Sequence, residues 1–277
     1  MGAVTLQLDD YDLTGFLPVA AAFGSDRYGF VVTPNVDHLI RYHEDPRFRE
    51  CYGAASYVLL DSRFASRLLR LVKGMSPRVC TGSDLTAAVF SGLVASTDRV
   101  LLIGTSAEQV QALRQRFQLQ NLHHHNPPMG FIKDDAAVER CLDFIESLSP
   151  FRFCFLAVGS PQQELIAHAL QKRGRARGLA LCVGASIDFL TGKEQRAPRW
   201  MQQGSIEWLF RLMQNPRKMA WRYLVRGPKV FARMARFKFV LRNIPVPEGP
   251  LGAGSMKSAQ LLPAASMSAA TVPHEAL

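Results

Sequence analysis

Short apolar segments recur along the chain, and each ends on small or polar residues before a segment with helical spacing begins. Their hydrophobicity is continuous, which is typical of strands covered on both faces in a parallel sheet. The intervening segments 107–117 and 162–173 show the apolar spacing of helices. Alternating strands and helices predict an α/β fold with a doubly wound, mostly parallel, Rossmann-like sheet. The apolar segments are FVV (30–32), YVLL (57–60), RVC (78–80), VLLIG (100–104), FCFLAVG (153–159) and LALCVG (179–184).

Polar or small residues stand directly after several of these segments. In a parallel sheet the carboxyl ends of the strands share one edge, where α/β proteins hold their ligands. A plainer interpretation applies to Thr33-Pro34-Asn35, because Pro fixes its own dihedral angle and Asn caps helices, so the three form only a strand–helix connection. The rim predicted at that edge comprises Thr33, Asn35, Asp61, Thr81, Gly104, Gly159 and Gln163.

The excess of basic charge is confined to one segment. The formal net charge is +10, yet residues 196–242 contain twelve Lys and Arg residues and one acidic residue, Glu207. The rest of the chain is close to neutral. This asymmetry favours a polyanionic partner, either lipid headgroups or nucleic acid, at the C-terminal end.

The basic segment is predicted to be helical. Residues 204–213 and 216–242 lack strand patterns, and Gly227-Pro228 breaks the second helix. Five basic residues recur at steps of four and three, which places them on one helical side, as in a helix lying on a membrane surface. An ordinary solvated helix is the alternative. The five are Arg222, Arg226, Lys229, Arg233 and Arg236.

Three parts are therefore predicted: an α/β body over 1–195, a basic helical membrane-docking appendage over 196–243, and a disordered tail over 244–277, where Pro, Gly, Ser and Ala replace periodic patterns.

The five cysteines are widely spaced without a CxxC motif, which favours a reducing cytoplasm over a disulfide scaffold. No secretory signal is visible, and no apolar stretch reaches the about 18 residues of a spanning helix. We expect a cytoplasmic protein that is peripheral on the membrane.

Several common cofactor motifs are absent from the sequence. No GxGxxG follows a strand and there is no GxxxxGK[ST], so a dinucleotide site or a phosphate loop has little support. Asp10-Tyr11-Asp12 resembles a metal-holding DxD but precedes the first predicted strand. His123-His124-His125 could ligate a metal, but adjacent residues of an extended chain point to opposite sides. A loop that approaches an anionic ligand is the alternative, and a plain surface loop is the prediction. Neither a cofactor nor a metal ion is expected.

The segment Gly159-Ser160-Pro161-Gln162-Gln163-Glu164 has the composition of a helix start. Gly permits close backbone approach, Ser caps, and Pro suits the first turn, so free amides at the rim favour a phosphate. A capped helix without a ligand fits equally well. Asp61, which ends YVLLD, is either a helix cap or an acid–base group.

In combination, the motifs resemble those of the WecG/TagA/CpsF family of bacterial glycosyltransferases (glycosyltransferase family 26). The resemblance implies a Rossmann-like body that transfers a hexose from a UDP-sugar to an undecaprenyl-diphosphate-linked sugar at the cytoplasmic membrane face. It also implies inversion at the anomeric centre without an essential metal. The motifs, in order across 33–218, are TPNVDHL, LLD, GSDL, PPMGF, GSPQQE, GASIDFLTG, RAPRW, IEWLFRL and NPRK.

The resemblance implies roles for individual residues. Asp61 matches the catalytic aspartate, while Thr33 and Asn35 match the TxN motif of the sugar and acceptor site. Two positions depart from the family pattern: Ser62 replaces a usual Gly and points towards glucose as the donor sugar, and Gln162 replaces a usual Lys. The substrate-binding residues expected are Gly104, Thr105, Gly130, Gly159, Gln163, Glu164, Asp188, Arg196 and Arg199.

The predicted chemistry is a displacement in which Asp61 takes the proton of the acceptor hydroxyl. Amides near Gly104 and Gly159, with Arg196, Arg199 or an arginine of the appendage, would stabilise the departing UDP. A nucleic-acid-binding protein and a nucleotide-dependent oxidoreductase are the rival classes; the neutral body, without a recognised nucleic-acid module, predicts no nucleic-acid partner. The donor hexose and the oligomeric state, a homo-oligomer included, remain open.

Overall fold

The computed structural model describes residues 4–195, 198, 201, 210, 213 and 237–242. Within them, six strands form one sheet in the order β3-β2-β7-β6-β4-β5, and every neighbouring pair is parallel. This confirms the predicted α/β, doubly wound, parallel fold. The strands of this sheet are β2 (Tyr28–Val32), β3 (Tyr57–Val58), β4 (Val100–Ile103), β5 (Leu122–His125), β6 (Phe153–Leu156) and β7 (Gly178–Cys182).

Helices cover both faces of the sheet because alternate strand residues point to opposite sides. Phe30 and Val32 of β2 belong to one hydrophobic cluster and Val31 to the other. On the face of Phe30 pack α2 (Val36–Glu44), α3 (Pro46–Ala54), α4 (Arg63–Lys73), α7 (Asp135–Ser147) and α8 (Gln162–Arg173). On the other face pack α1 (Leu13–Ala22), α5 (Gly82–Gly92), α6 (Ala107–Phe117) and α9 (Ser186–Leu190).

A second, two-stranded sheet joins the two ends of the described chain. It pairs β1 (Thr5–Asp9) in parallel with β8 (Lys238–Arg242). The buried Asp9 carboxylate accepts hydrogen bonds from Arg242 at 2.9 Å and from the Val58 amide at 2.7 Å, which ties this pair to β3. The prediction of a helix over 238–242 is therefore wrong, since Phe239 and its neighbours alternate between core and surface as a strand does.

Two other local predictions differ from the structure. The segment Arg78–Cys80 is not a strand; its amide at Cys80 donates to Leu60, but it does not extend the sheet. The histidine segment, predicted to be a loop, is part of β5. This strand lies at the edge of the described sheet, next to β4, and its histidine side chains are half-buried. Because these side chains are polar, the strand lacks the continuous apolar pattern by which the other strands of this sheet were predicted.

The chain order of the sheet reverses between β4 and β6. The connection from β4 leads outward to β5, whereas that from β6 leads the other way to β7. The helices after these two strands, α6 and α8, pack on opposite faces and leave a crevice at the strand ends. Such a reversal is where open α/β sheets bind ligands.

The structure also shows where the cysteines, the DxD motif and part of the predicted appendage lie. All five cysteines are free and buried in the structure. Asp12 caps α1, and Asp10 accepts a hydrogen bond from the Arg78 amide. Apart from residues 198, 201, 210, 213 and 237–242, the predicted appendage lies outside the described residues, its five basic residues, Arg196 and Arg199 included, as does the tail, so the three-part division stays a prediction.

Candidate functional site

Asp61 lies at the carboxyl end of β3 and is held by two backbone contacts. Its amide donates to the carbonyl of Pro34 at 2.9 Å, and its carboxylate oxygen Oδ1 accepts from the amide of Gly82 at 3.0 Å. Gly82 begins α5, which Thr81 caps. The carboxylate is therefore aimed at the positive end of a helix and remains only half-buried.

Gly82 also brings Thr33 next to Asp61. A Cβ atom at position 82 would lie 3.0 Å from the Thr33 hydroxyl and 3.5 Å from that of Ser186. The Thr33 hydroxyl is buried and donates to the carbonyl of Cys182 at 3.3 Å, linking the ends of β2 and β7. Asp61, Thr33 and Ser186 thus converge on one glycine that the sequence analysis did not identify.

Asn35 is a helix cap, which confirms the plainer interpretation of its side chain. Its Oδ1 accepts from the amides of Asp37 and His38 at the start of α2. In return, Nδ1 of His38 accepts from the Asn35 amide at 3.2 Å, completing a capping box. This arrangement leaves the proton on Nε2 of His38, which lies 3.9 Å from Oε1 of Glu164.

Gln163 and Glu164 lie behind the rim at the start of α8. Both are buried, with exposed fractions of 3% and 1%. The Gln163 amide donates to Glu164 at 3.0 Å, and its carbonyl oxygen accepts from the amide of Gly184 at 2.8 Å. Gln163 therefore fixes the turn after β7, where Gly184 adopts a positive φ of 52°.

A chain of contacts consequently crosses the back of the site. It runs from the Asn35 amide through His38 to Glu164, and then through Gln163 to Gly184. Burial raises the pKa of the Glu164 carboxyl from 4.5 to about 7, and the hydrogen bond from Gln163 opposes this shift only in part. Its second oxygen, Oε2, is buried without a hydrogen-bond partner among the described residues.

A second network lies where β4 ends. Thr105, which has a strained positive φ of 72°, donates to the side-chain oxygen of Gln109 at 2.6 Å. The Gln109 amide donates in turn to Asp188 at 2.8 Å and to Thr191 at 3.0 Å. Lys193 lies 3.6 Å from the Asp188 carboxylate. This network joins the start of α6 to α9 on the same face of the sheet.

The backbone at the crevice is tightly packed at Gly104 but open at Gly159, where a Cβ atom would meet nothing within 4 Å. Gly104 has a φ of 93°, and a Cβ atom there would lie 3.0 Å from the carbonyl of Ala157. Gly159 has a φ of 78°, and α8 begins after Pro161 without a side-chain cap, so Ser160 does not cap it. The first amides of α8 therefore depend on backbone, solvent or a ligand for hydrogen bonding.

The predicted residues form two groups along the rim. Asp61, Thr33 and Asn35 lie at the ends of β3 and β2, and Gly104, Thr105 and Gly159 at the ends of β4 and β6. The ends of β2 and β7 separate Asp61 from the α8 start, a span of roughly 14 Å between strand axes. Gly130 follows β5, at the opposite end of the sheet from Asp61, with a φ of 79°.

The fold and this rim define a Rossmann-like α/β protein with a candidate ligand site at its strand ends. A model of the glycosyl transferase WecG/TagA/CpsF family matches residues 3–243, and the chain belongs to that family. The chain is 26% identical over 232 residues to the N-acetylglucosaminyldiphosphoundecaprenol N-acetyl-beta-D-mannosaminyltransferase of Bacillus spizizenii, covering 80% of this chain and 86% of that relative. The protein is a glycosyltransferase, as the motifs predicted.

Four residues with clear roles in the site were missed from the sequence: Gly82, His38, Gln109 and Gly184. Gly82, His38 and Gly184 lie inside the motifs GSDL, TPNVDHL and GASIDFLTG, so the motif positions contained a signal for all three. Gln109 follows Ser106 by three residues, which is the spacing of a capping box. The contact from Gly184 to Gln163 could not be predicted, because the two residues are 21 positions apart.

We expect Glu164→Gln to change how stability depends on pH. The folded wild type binds a proton at Glu164 up to about pH 7, whereas the unfolded chain releases it near 4.5. Wild-type stability therefore falls as pH rises through this window, whereas glutamine cannot ionise. The free energy of unfolding of the variant, relative to wild type, should rise by about 2 to 3 kcal/mol between pH 5 and pH 8.

Urea denaturation at both pH values measures this difference. His38 and Arg41 face Glu164 and are unchanged in the variant. Glu50→Gln, at an exposed position on α3, is the matched control and should show no comparable pH trend. Equal pH dependence of wild type and Glu164→Gln would contradict the raised pKa.

Proposed function

We propose that the protein transfers a hexose from a UDP-sugar to a sugar carried on undecaprenyl diphosphate, with inversion and without an essential metal. Family membership and the name of the Bacillus relative support a lipid-diphosphate-linked acceptor. The observation that most directly supports the chemistry is the half-buried Asp61 carboxylate at the strand-end rim, oriented by Gly82.

In the proposed reaction, the acceptor hydroxyl oxygen attacks the anomeric carbon of the donor sugar. The bond from that carbon to the UDP oxygen breaks, and UDP leaves with the electron pair. Asp61 takes the hydroxyl proton, which makes the hydroxyl a competent nucleophile. A single displacement by one base inverts the anomeric centre. Thr33 and Asn35, beside Asp61, remain the proposed contacts of the sugar and acceptor.

UDP is proposed to occupy the crevice between the ends of β4 and β6. The backbone amides around Gly104, Thr105 and Gly159, together with the start of α8, suit the growing charge of a diphosphate. Asp188 is proposed to contact the nucleotide, and the buried Gln163 and Glu164 to support the site from behind. Gly130, Arg196 and Arg199 complete the proposed substrate-binding set, the two arginines lying outside the described residues.

The donor hexose is either N-acetylmannosamine or glucose. The name of the Bacillus relative, an N-acetyl-beta-D-mannosaminyltransferase, favours UDP-N-acetylmannosamine. Ser62 had pointed towards glucose, but its hydroxyl caps α4 by accepting the Ala65 amide at 3.1 Å. A structural reason for Ser62 therefore exists that is independent of donor choice, and UDP-N-acetylmannosamine is the better-supported donor. A panel of UDP-sugars, assayed with a lipid-diphosphate-linked N-acetylglucosamine acceptor, distinguishes the two.

We expect Asp61→Asn to lower turnover by about 10²–10⁴-fold while UDP binding persists. Asparagine keeps an oxygen to accept the Gly82 amide, so the local backbone is preserved, but it cannot take the acceptor proton. The measurement combines UDP release in the transfer assay with calorimetric UDP binding. Asp135→Asn, at an exposed position on α7, is the control and should retain full turnover. Near-wild-type turnover of Asp61→Asn would remove Asp61 from the mechanism.

The lipid-linked acceptor requires a membrane surface. No helix in the described part of the chain is both long and apolar enough to cross a bilayer. We propose that the protein docks peripherally on the anionic cytoplasmic face through the basic side of residues 196–243, namely Arg222, Arg226, Lys229, Arg233 and Arg236.

Substitution tests this docking better than deletion does, because removing 216–242 would also remove β8. Changing the five basic residues to Gln should weaken binding to anionic vesicles at least about a hundredfold, since each contributes on the order of 1 kcal/mol. Co-sedimentation with vesicles containing phosphatidylglycerol measures this, with UDP binding as the folding control. Unchanged sedimentation would refute the docking proposal.

A further inference from the structure

Helix α4 has an unusual distribution of apolar side chains. Ala65, Leu68 and Leu69 are buried against the sheet, as expected for a covering helix. On the outer side, however, Leu71 is 83% exposed and Phe64 is 38% exposed. Leaving Leu71 this exposed forgoes most of the free energy that burial of a large aliphatic side chain would give.

All charged side chains of α4 are basic. The helix contains Arg63, Arg67, Arg70 and Lys73 and no acidic residue. Arg63, Arg67 and Arg70 follow each other at steps of four and three, and Phe64 and Leu71 are seven residues apart. These five residues therefore share one side of the helix; we call them the α4 outer surface. It combines arginines with apolar side chains, as interfacial helices do.

The α4 outer surface starts at the catalytic rim. Ser62 caps the helix, so α4 begins two residues after Asp61. The helix also lies on the side of the sheet where the basic segment ends. That segment leads into β8, which pairs with β1, and β1 is tied to β3 by the contact from Asp9 to Val58. The arginines of α4 and the end of the basic segment therefore flank the same sheet edge.

We infer that the α4 outer surface contacts an anionic lipid bilayer, and that this second contact, within the folded body, sets the orientation of the Asp61 rim towards the membrane. The inference rests on the proposed use of a lipid-linked acceptor. A bilayer is the occupant that this composition fits, because lipid headgroups pair with the arginines and the acyl boundary receives Leu71. Because α4 begins two residues after Asp61, contact between α4 and the bilayer keeps the acceptor hydroxyl that reacts at Asp61 close to the lipid that anchors the acceptor.

Two substitutions of the full chain test the contact. Leu71→Ser should weaken binding to phosphatidylglycerol vesicles about fivefold, because an apolar insertion is lost. Arg70→Glu should weaken it about tenfold or more, because attraction becomes repulsion. Arg140→Glu is the matched control for charge; Arg140 is exposed on α7, whose Phe144 packs against His125 of β5 at the other edge of the sheet. It should bind vesicles markedly better than Arg70→Glu.

A fluorescent label reports the contact directly. All five native cysteines are buried, so Leu71→Cys can be labelled selectively with an environment-sensitive dye. Gln115→Cys, at an exposed position on α6, is the control site. The emission at position 71 should shift to the blue when anionic vesicles are added, whereas that at position 115 should not shift.

The outcomes separate this inference from its alternatives. A label at position 71 already blue-shifted without vesicles would show that protein, either this chain or a second copy, covers the surface, and would overturn the inference. Wild-type vesicle binding by both Leu71→Ser and Arg70→Glu would overturn it as well. Transfer to a short-chain, water-soluble acceptor should be unchanged in both variants. Absence of that transfer in wild type would instead contradict the proposed function, while the vesicle results would still decide the role of α4.

Discussion

The parallel direction of all six strands of the main sheet is the constraint on which the site depends. Because no strand of the described sheet runs the other way, every strand end contributes to one edge. Asp61 and Thr33 lie at this edge because they follow β3 and β2, and Gly104 and Gly159 lie there because they follow β4 and β6. The same order reverses between β4 and β6, where open α/β sheets bind ligands. In the proposed enzyme, this one topology places both the base and the leaving group.

Buried polar contacts, most of them hydrogen bonds, hold this edge in shape from behind. The cap of α2 reaches Glu164 through His38, and Gln163 continues the contact to Gly184 after β7. Glu164 is mostly neutral below about pH 7, so the chain is maintained without a buried charge at moderately acidic pH. In the proposed enzyme, these residues position the rim, while residues with more exposed side chains meet the substrates.

The sequence predicted the features that adjacent residues determine, and it missed those that depend on contacts between distant parts of the chain. Continuous apolar segments predicted five of the six main strands, because a strand buried on both faces needs few polar residues. The edge strand β5 was not predicted because its histidines are polar. The strands β1 and β8 were not predicted because the two partners lie far apart along the chain. Asp61 and Thr33 were found since they follow strands directly. The role of Gly82 was not, because it depends on a contact between loops 21 residues apart.

The structure of Asp61→Asn with a bound UDP-sugar tests the central claim most directly. The account predicts the diphosphate at the backbone amides between the ends of β4 and β6. It also predicts that the donor sugar extends along the rim, with its anomeric carbon close enough to position 61 for an acceptor hydroxyl to lie between them. A nucleotide bound at the amino ends of the strands, or a sugar directed away from position 61, would contradict it.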